Sequence, residues 1–500
     1  MKVQFYKNLG KRKIQNILLS IAILIISYFT YFHNYNYPQA VFWDENYHIP
    51  AAQKYLNQTF FMYEHPPLGP MLIALGEKLL HSNNFSNQFN DVYYAKDFPP
   101  NFSFTGYRFI PTVCAWLLPL IFFFIALNLV GNRIIAFLLS FLVLFDNAMI
   151  VHFRAAMLEA PLMLFIALSI LFFLLALKNK KYNKRLVISS IGLGVSVGLV
   201  ATTKITGLIV LLLIPLLFSK LFPQWQKVAL SLGIVLISFV VTFVTVWQIH
   251  FSIAKNINPN LDNSGYFNIS AEYREFIDQN KQNEIWSFPL RLQEHFKHVK
   301  NYQKGVPKLD LSKPDENGSP SLFWPLGARA INYRWETADG VIYKYLYLQA
   351  NPVVWILGLS GVLGTTALFF IYIFFSLREA ITKRFLMATF WLLYWSYMVI
   401  ISQLGRVMYL YHYFPALLFS FCLFSLLIEE ARQIGNMLLT TRYKILILAV
   451  LSAAIFVSYR FYSPLTYYQP LNDEQFRQRM IFPLWDLRCV NCERTRLFRK

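Results

Sequence analysis

Long apolar runs alternate with short polar segments along most of the chain. Runs of roughly 17 to 25 residues are long enough for an α-helix to cross the hydrocarbon core of a bilayer. Eleven such runs cover residues 14–32, 109–130, 134–151, 160–177, 186–203, 205–222, 228–250, 352–376, 385–403, 407–428 and 445–460. The pattern predicts an all-α polytopic membrane protein with about eleven transmembrane helices. The boundary between the fifth and sixth runs is the least distinct, because only Thr202, Thr203 and Lys204 interrupt it.

The polar segments at 33–108 and 251–350 are long enough to form structure outside the membrane. They divide the chain into an N-terminal transmembrane module at 1–250, an outer-face loop domain at 251–350, a four-span module at 351–460 and an outer-face tail at 461–500. In the first segment, HPPLGPMLIALGEKLL places five apolar residues on one helical face: Leu68, Met71, Leu72, Leu75 and Leu79. Together with a shorter helix at about 48–56, this face predicts interfacial helices in the first outer loop.

Composition supports the membrane assignment, and charge orients the chain. Hydrophobic residues make up 56% of the sequence and charged residues 14%, with a mean hydropathy of +0.40. If the N-terminus is cytoplasmic, the inside segments carry 19 Lys and Arg against three acids, whereas segment 251–350 carries 12 against 11. The net charge of +20 therefore reflects membrane topology. Cations scattered over short loops form no stripe, so nucleic-acid binding is not indicated.

Asp44 and Glu45 follow the first apolar run directly, and an acidic pair there is a candidate functional site. Further ionisable residues recur at the same membrane face: Arg154, Glu159, Lys204 and Arg406. Carboxylates with isolated cations at one lipid–water boundary favour chemistry on an anionic lipid headgroup, because a phosphate leaving group needs cations and an acceptor hydroxyl needs a base. For each cation, an interfacial anchor remains an alternative. A transporter would place such groups near the bilayer midplane, and a non-catalytic scaffold would not need Asp44.

The four cysteines add little to this picture. Cys114 and Cys422 lie within apolar runs, where a small hydrophobic role is expected. Cys489 and Cys492 form a CxxC in the tail, for which we predict a disulfide in an oxidising compartment.

Four ordered stretches resemble the dolichyl-phosphate-mannose protein mannosyltransferase family. They are DE…AQKYL…FFMYEHPPLG, HFRAAMLEAPLMLF, SPSLFWPLGARAINYRW…LQANPVVWILGL and RVMYLYHYFPALLF, and they span residues 41–428. The resemblance implies the GT-C fold. It also implies transfer of a sugar from a polyprenyl-phosphate carrier to Ser/Thr hydroxyls of translocated proteins, and the sugar that this family transfers is mannose. Pro70 stands where the family usually has Lys, and Glu159 where it has Asp.

Segment 251–350 is too short for the β-trefoil insert of fungal and animal members, so the resemblance is to a short bacterial type in the cytoplasmic (inner) membrane, with its site on the outer, periplasmic face. Such relatives often pair with a homologue. Acceptors such as lipid A, as in aminoarabinose transferases, or a cell-envelope glycan remain alternatives.

The implied mechanism is an inverting displacement. Asp44 is the expected base, Glu45 and Glu159 orient acceptor or sugar, and His65 closes the loop over the site. The residues expected to bind donor or leaving phosphate are Arg154, Lys204, Arg329, Arg406, Tyr409 and His412. No cofactor is required: an acidic pair can hold a divalent cation, but the many arginines make a metal unnecessary.

Overall fold

The structure is a computed structural model that describes residues 2–83, 98–179, 183–221, 224–257, 265–281, 283–313, 316–374, 383–434 and 437–490. The helices in these ranges are α1 Lys2–Ser27, α2 Glu45–Leu56, α3 Leu68–Leu80, α4 Thr105–Val130, α5 Arg133–Leu139, α6 Phe141–Leu144, α7 Asn147–Phe153, α8 Glu159–Lys178, α9 Lys184–Thr203, α10 Leu213–Leu221, α11 Trp225–Ile253, α12 Ala271–Asp278, α13 Phe288–Gly305, α14 Pro352–Phe374, α15 Arg384–Ser402, α16 Phe414–Glu430, α17 Thr441–Thr466 and α18 Asp473–Arg477. The strands are β1 Ile331–Thr337, β2 Ile342–Leu348, β3 Gln433–Ile434, β4 Met437–Leu438 and β5 Pro470–Asn472.

The mostly helical, multi-pass architecture is confirmed, but the count of eleven spans is not. Within the described residues, nine helices are long and apolar enough to cross a membrane. The third predicted span is a broken one, in which Arg133–Leu144 and Asn147–Phe153 meet at a bend of 62°. The sixth, Ile205–Leu221, is a shorter apolar segment that begins as a 3-10 helix.

Buried polar contacts fix the bend in the third span. Asp146 accepts hydrogen bonds from the backbone N–H of Met149 at 2.8 Å and from the indole of Trp355 at 2.7 Å. The side chain of Asn351 donates to the carbonyl of Phe145 at 2.9 Å. An apolar helix cannot satisfy a buried carboxylate, so the chain turns where these partners are available. The bend therefore joins the third span to the N-terminal end of α14.

The two helices predicted in the first outer loop are present as α2 and α3. On α3 the C-terminal part of the predicted apolar face is exposed, since Leu75 is 41% and Leu79 56% exposed, as expected for a helix at a membrane surface. Leu68, at the start of this face, is buried. The opposite side packs on α4, where a Cβ on Gly76 would lie 2.3 Å from the carbonyl oxygen of Gly106. Because Gly76 and Gly106 have no side chains, α3 and α4 can pack closely here, which keeps the first outer loop near the bundle.

A small antiparallel sheet was not predicted. Its strand order is β1-β2-β5, so the tail completes a sheet that begins in the 251–350 segment. The register shifts between Asn332 and Arg334, which leaves Tyr333 in a β-bulge, a feature that re-aims side chains. The alternating tyrosines of β2, in IYKYLYL, were an overlooked strand signal. Cys489 in the tail is disulfide-bonded, whereas Cys492 lies outside the described residues.

The charge bias of the loops predicts that α13 lies on the outer, periplasmic face of the membrane. A single cysteine at Lys297, an exposed position of α13, should react with a membrane-impermeant maleimide in intact cells. Arg442, at the start of α17 and exposed, should label only after lysis when it is replaced by cysteine. The native Cys114 and Cys422 are buried and should give little background. The reverse labelling pattern would contradict the assigned topology.

Candidate active site

A cavity of about 760 Å³ lies beside the first outer loop. Six residues that the sequence singled out line it: Asp44, His65, Lys204, Arg406, Tyr409 and His412. The walls come from the first outer loop, from the break after α9, from the C-terminal end of α13 and from the segment before α16. Residues that are distant in sequence but were assigned to one membrane face therefore converge on one site.

Asp44 ends the outer-loop segment immediately before α2, and its half-buried side chain lines the cavity. The Tyr411 hydroxyl donates to its Oδ2 at 3.2 Å. Burial raises the pKa of the Asp44 carboxyl above its ordinary value, while the nearby Lys204 ammonium partly opposes this shift. A carboxylate with a raised pKa is a better proton acceptor than an exposed aspartate. Its position and chemistry suit a general base.

Lys204 reaches the site because the helix breaks at this residue. α9 ends at Thr203, and Lys204 has an extended backbone before the 3-10 turn that follows. Its ammonium forms an ion pair with Glu159, the first residue of α8. The other Glu159 oxygen lies 3.0 Å from Nε2 of His152. Glu159 does not line the cavity, so it serves to hold Lys204 in place.

The same network extends to the sheet. The bulged Tyr333 places its hydroxyl 2.6 Å from Nδ1 of His152. The ring of His152 stacks on Tyr411 with centroids 4.7 Å apart and planes 18° apart. The Lys204 ammonium lies 5.4 Å from the Tyr411 ring centroid, within cation–π range. These contacts connect the sheet to α7 and to the segment before α16, whose Tyr411 contacts Asp44.

Arg406 is a second cation of the cavity wall. Its Nη1 donates to Oε1 of Gln303 on α13 at 2.8 Å, and its guanidinium remains partly exposed to the cavity. Trp43 packs against Tyr409 and against Tyr333 with centroid distances of 5.2 Å in each case. The site therefore combines a half-buried acid, two cations and an aromatic wall.

Three other predicted residues lie elsewhere. Glu45 is fully buried and forms a two-pronged ion pair with Arg108 at 2.7 and 2.8 Å, so the acidic pair is not arranged to hold one ion. Arg154 lines a different cavity. Arg329 donates to the Glu316 carbonyl and lies 3.9 Å from Asp486, and it does not line the site.

Other residues in and around the site were missed. Tyr411 and His152 lie inside stretches already singled out, and Arg108 is an ionisable residue in the first turn of a span, which is itself a functional signal. Glu64, beside His65, also lines the cavity, and burial raises its pKa to about 7. Among the described residues, no three His, Cys, Asp or Glu side chains group as metal ligands would.

Two family models match this chain. The family model described as dolichyl-phosphate-mannose-protein mannosyltransferase matches residues 21–258. A second model, the C-terminal four-transmembrane region of protein O-mannosyltransferase, matches residues 295–485. The chain belongs to the dolichyl-phosphate-mannose protein mannosyltransferase family. The predicted resemblance is confirmed.

Individual members of this mannosyltransferase family are distant. The protein O-mannosyl-transferase 1 of Danio rerio is 29% identical over 160 residues, which cover 32% of this chain and 22% of that protein. Protein mannosyltransferase 1 of Saccharomyces cerevisiae is 25% identical over 287 residues, 53% of this chain and 33% of that protein. The matches thus span a third or less of the length of these curated relatives.

The solved structure of the Saccharomyces cerevisiae Pmt1-Pmt2 complex bound to the sugar donor includes a chain with the same fold. The TM-score is 0.77 at 15% identity, over 95% of this chain and 93% of that one. At this identity the likeness establishes the fold, and it confirms the predicted GT-C architecture.

Proposed function

We propose that the protein is an inverting glycosyltransferase that moves mannose from a polyprenyl-phosphate carrier to Ser/Thr hydroxyls of proteins. The observation that carries this proposal is the convergence of Asp44 with Lys204 and Arg406 on one cavity. A base and two cations are the groups that attack by a hydroxyl and departure of a phosphate require.

In this mechanism the acceptor hydroxyl attacks the anomeric carbon as Asp44 takes its proton. The bond between that carbon and the carrier phosphate oxygen breaks with its electron pair on the oxygen, and the sugar passes through an oxocarbenium-like transition state. The phosphodiester becomes a phosphate monoester dianion, which Lys204 and Arg406 stabilise. Glu159 keeps Lys204 oriented through their ion pair, and His65 faces the bound substrates from the cavity wall.

The proposal also covers the membrane in which the protein acts, the modules that form the site and a partner protein. The protein would act in the bacterial cytoplasmic membrane with the cavity on the periplasmic face, as the loop charges favour. Modules 1–250, 251–350 and 351–460 would share the catalytic work, since each contributes residues to the cavity wall. The protein would act in a complex with a homologue, because the similar yeast structure is of a two-protein complex.

The direct test incubates membranes containing the protein with radiolabelled polyprenyl-phosphate mannose. Label in protease-sensitive, β-eliminable material would support protein O-mannosylation. Label in lipid A or in a cell-envelope glycan would assign the acceptor to that class instead. Membranes with the Asp44→Asn variant are the matched control, because the site's shape is kept while the base is lost. Equal labelling by this control would contradict the assigned site.

Arg406→Ala should slow transfer by about tenfold, because one charged contact to the leaving phosphate is lost while Lys204 remains. Arg406→Lys should recover only part of the activity, since a point charge replaces a planar fork. Inhibition by free polyprenyl phosphate, measured in the same assay, should weaken in the alanine variant.

The control for that experiment is Gln303→Ala, which removes the hydrogen-bond partner of Arg406 without changing charge. It should leave product inhibition near the wild-type level. Unchanged product inhibition in Arg406→Ala would place the phosphate against Lys204 alone.

A further inference from the structure

A second cavity, of about 440 Å³, shares no lining residue with the catalytic one. It lies between the outer end of α1 and the C-terminal end of α17. Two arginines line it, Arg154 and Arg460, together with Tyr459 and Tyr467. Among the described residues that line this cavity, none is Asp or Glu. The space is therefore cationic and has an aromatic wall.

Arg154 is the buried cation of this cavity, with 6% of its surface exposed. Its Nη2 donates to the carbonyls of His33 at 3.1 Å and Asn34 at 2.5 Å, and its guanidinium lies 4.8 Å from the Tyr467 ring centroid. The Nε has no hydrogen-bond partner among the described residues. These contacts hold the side chain in place but supply no negative charge. A buried cation without a counter-ion is costly, and an anionic ligand would offset this cost.

Arg460 lies at the rim on the last two turns of α17 and is exposed. A guanidinium in this position suits the phosphate level of a membrane, where long cationic side chains extend toward the headgroups. The two arginines thus offer one buried and one accessible planar fork, the geometry that recognises phosphate oxygens.

An apolar groove adjoins the cavity. Its lining residues are Ile21, Leu24, Ile25, Tyr28, Phe29 and Trp116, and its volume is about 370 Å³. Phe29 lines both spaces. From Phe29, in the helical turn after α1, back to Ile21 on α1, the groove runs for about 12 Å at 1.5 Å per residue, away from the cationic cavity. The indole N–H of Trp116 is bonded to the Leu24 carbonyl at 2.9 Å, so its ring presents carbon to the groove.

We propose that the cavity and the groove together bind one anionic phospholipid. The phosphate of its headgroup contacts Arg154 and Arg460, and one acyl chain lies along α1 over Phe29. The groove favours a lipid over a soluble phosphate. Its apolar lining can contact an acyl chain but makes no favourable contact with an inorganic anion. The site is separate from the catalytic cavity and independent of the reaction proposed for it.

The test is native mass spectrometry of the full-length protein in detergent, exchanged with phosphatidylglycerol or with phosphatidylcholine. Phosphatidylglycerol should be retained and phosphatidylcholine should not. Arg460→Gln should lower the retention of phosphatidylglycerol about fivefold, as expected for one cation at a membrane surface. Arg442→Gln, at the other end of the same helix, is the matched control and should retain the lipid. Equal retention by the Arg460 and Arg442 variants would overturn the proposal.

Further measurements distinguish a whole phospholipid from a free headgroup or an inorganic phosphate. Glycerophosphoglycerol, which is the headgroup without acyl chains, and inorganic phosphate should neither displace the lipid nor raise the melting temperature. If either protects as well as phosphatidylglycerol, the groove plays no part and the lipid assignment fails. If Arg154→Gln does not fold, Arg154→Lys is used instead. It keeps the positive charge at the buried position but removes the planar guanidinium, so it tests whether lipid retention needs the guanidinium. A dimer that Arg460→Gln dissociates would show instead that a second copy covers this face.

Discussion

Replacing Asp44 with asparagine is expected to lower turnover by about 100-fold or more. Asparagine keeps the shape of the side chain and can still bond to the Tyr411 hydroxyl, but it cannot accept a proton. Binding of the carrier should persist, because Lys204 and Arg406 are unchanged. Steady-state transfer to an acceptor peptide gives the turnover number, and retention of labelled carrier by the purified variant gives binding.

The pH dependence of turnover is a second test of Asp44 as the base. The base must be deprotonated, so turnover should fall as the pH drops through the raised pKa of Asp44. Glu64→Gln is the matched control, since it neutralises the other carboxylate that lines the cavity. It should keep most of the activity and remove only the inflection near pH 7 that ionisation of Glu64 would produce. Near-wild-type turnover in Asp44→Asn would move the base, and Glu64 would be the next candidate.

The membrane spans were the most predictable part of this protein. Bilayer thickness sets the length of an apolar run, so run length alone located nearly every span. The two exceptions both occur where a polar residue lies within an apolar stretch. Asp146 bends the third span and Lys204 ends α9. The sequence marks such interruptions, but the direction of each bend depends on partners such as Trp355 that lie far along the chain.

The site was predictable in composition but not in detail. Asp44 and Glu45 are adjacent in sequence, yet successive side chains at a helix start point about 100° apart. One therefore faces the cavity while the other faces Arg108, a partner 63 positions away. Arg154 shares the predicted membrane face with the site but lines a separate cavity. Periodicity and charge assign a face of the membrane, whereas packing decides which residues meet.

The pair of Glu45 and Arg108 leads to the last prediction. Both side chains are fully buried. Arg108 also donates to the carbonyls of Asn36, Pro38 and Ala40 at 2.6 to 2.9 Å. Glu45 in turn accepts the backbone N–H of Ala156 at 2.9 Å. The pair thus ties the first outer loop, α2 and α4 to the segment after α7, immediately beside Asp44.

Glu45→Gln should therefore destabilise the fold by about 3 to 5 kcal/mol, because it leaves the Arg108 charge buried without its counter-ion. Thermal unfolding in detergent measures the loss. Arg108→Gln should cost a similar amount, and the double variant should cost less than the sum of the two, since neither charge is then stranded. Glu336→Gln breaks the partly exposed ion pair with Lys344 and should change stability by at most about 1 kcal/mol. If Glu45→Gln keeps wild-type stability but loses turnover, the carboxylate acts on the substrate, and the clamp that we assign to it is not its role.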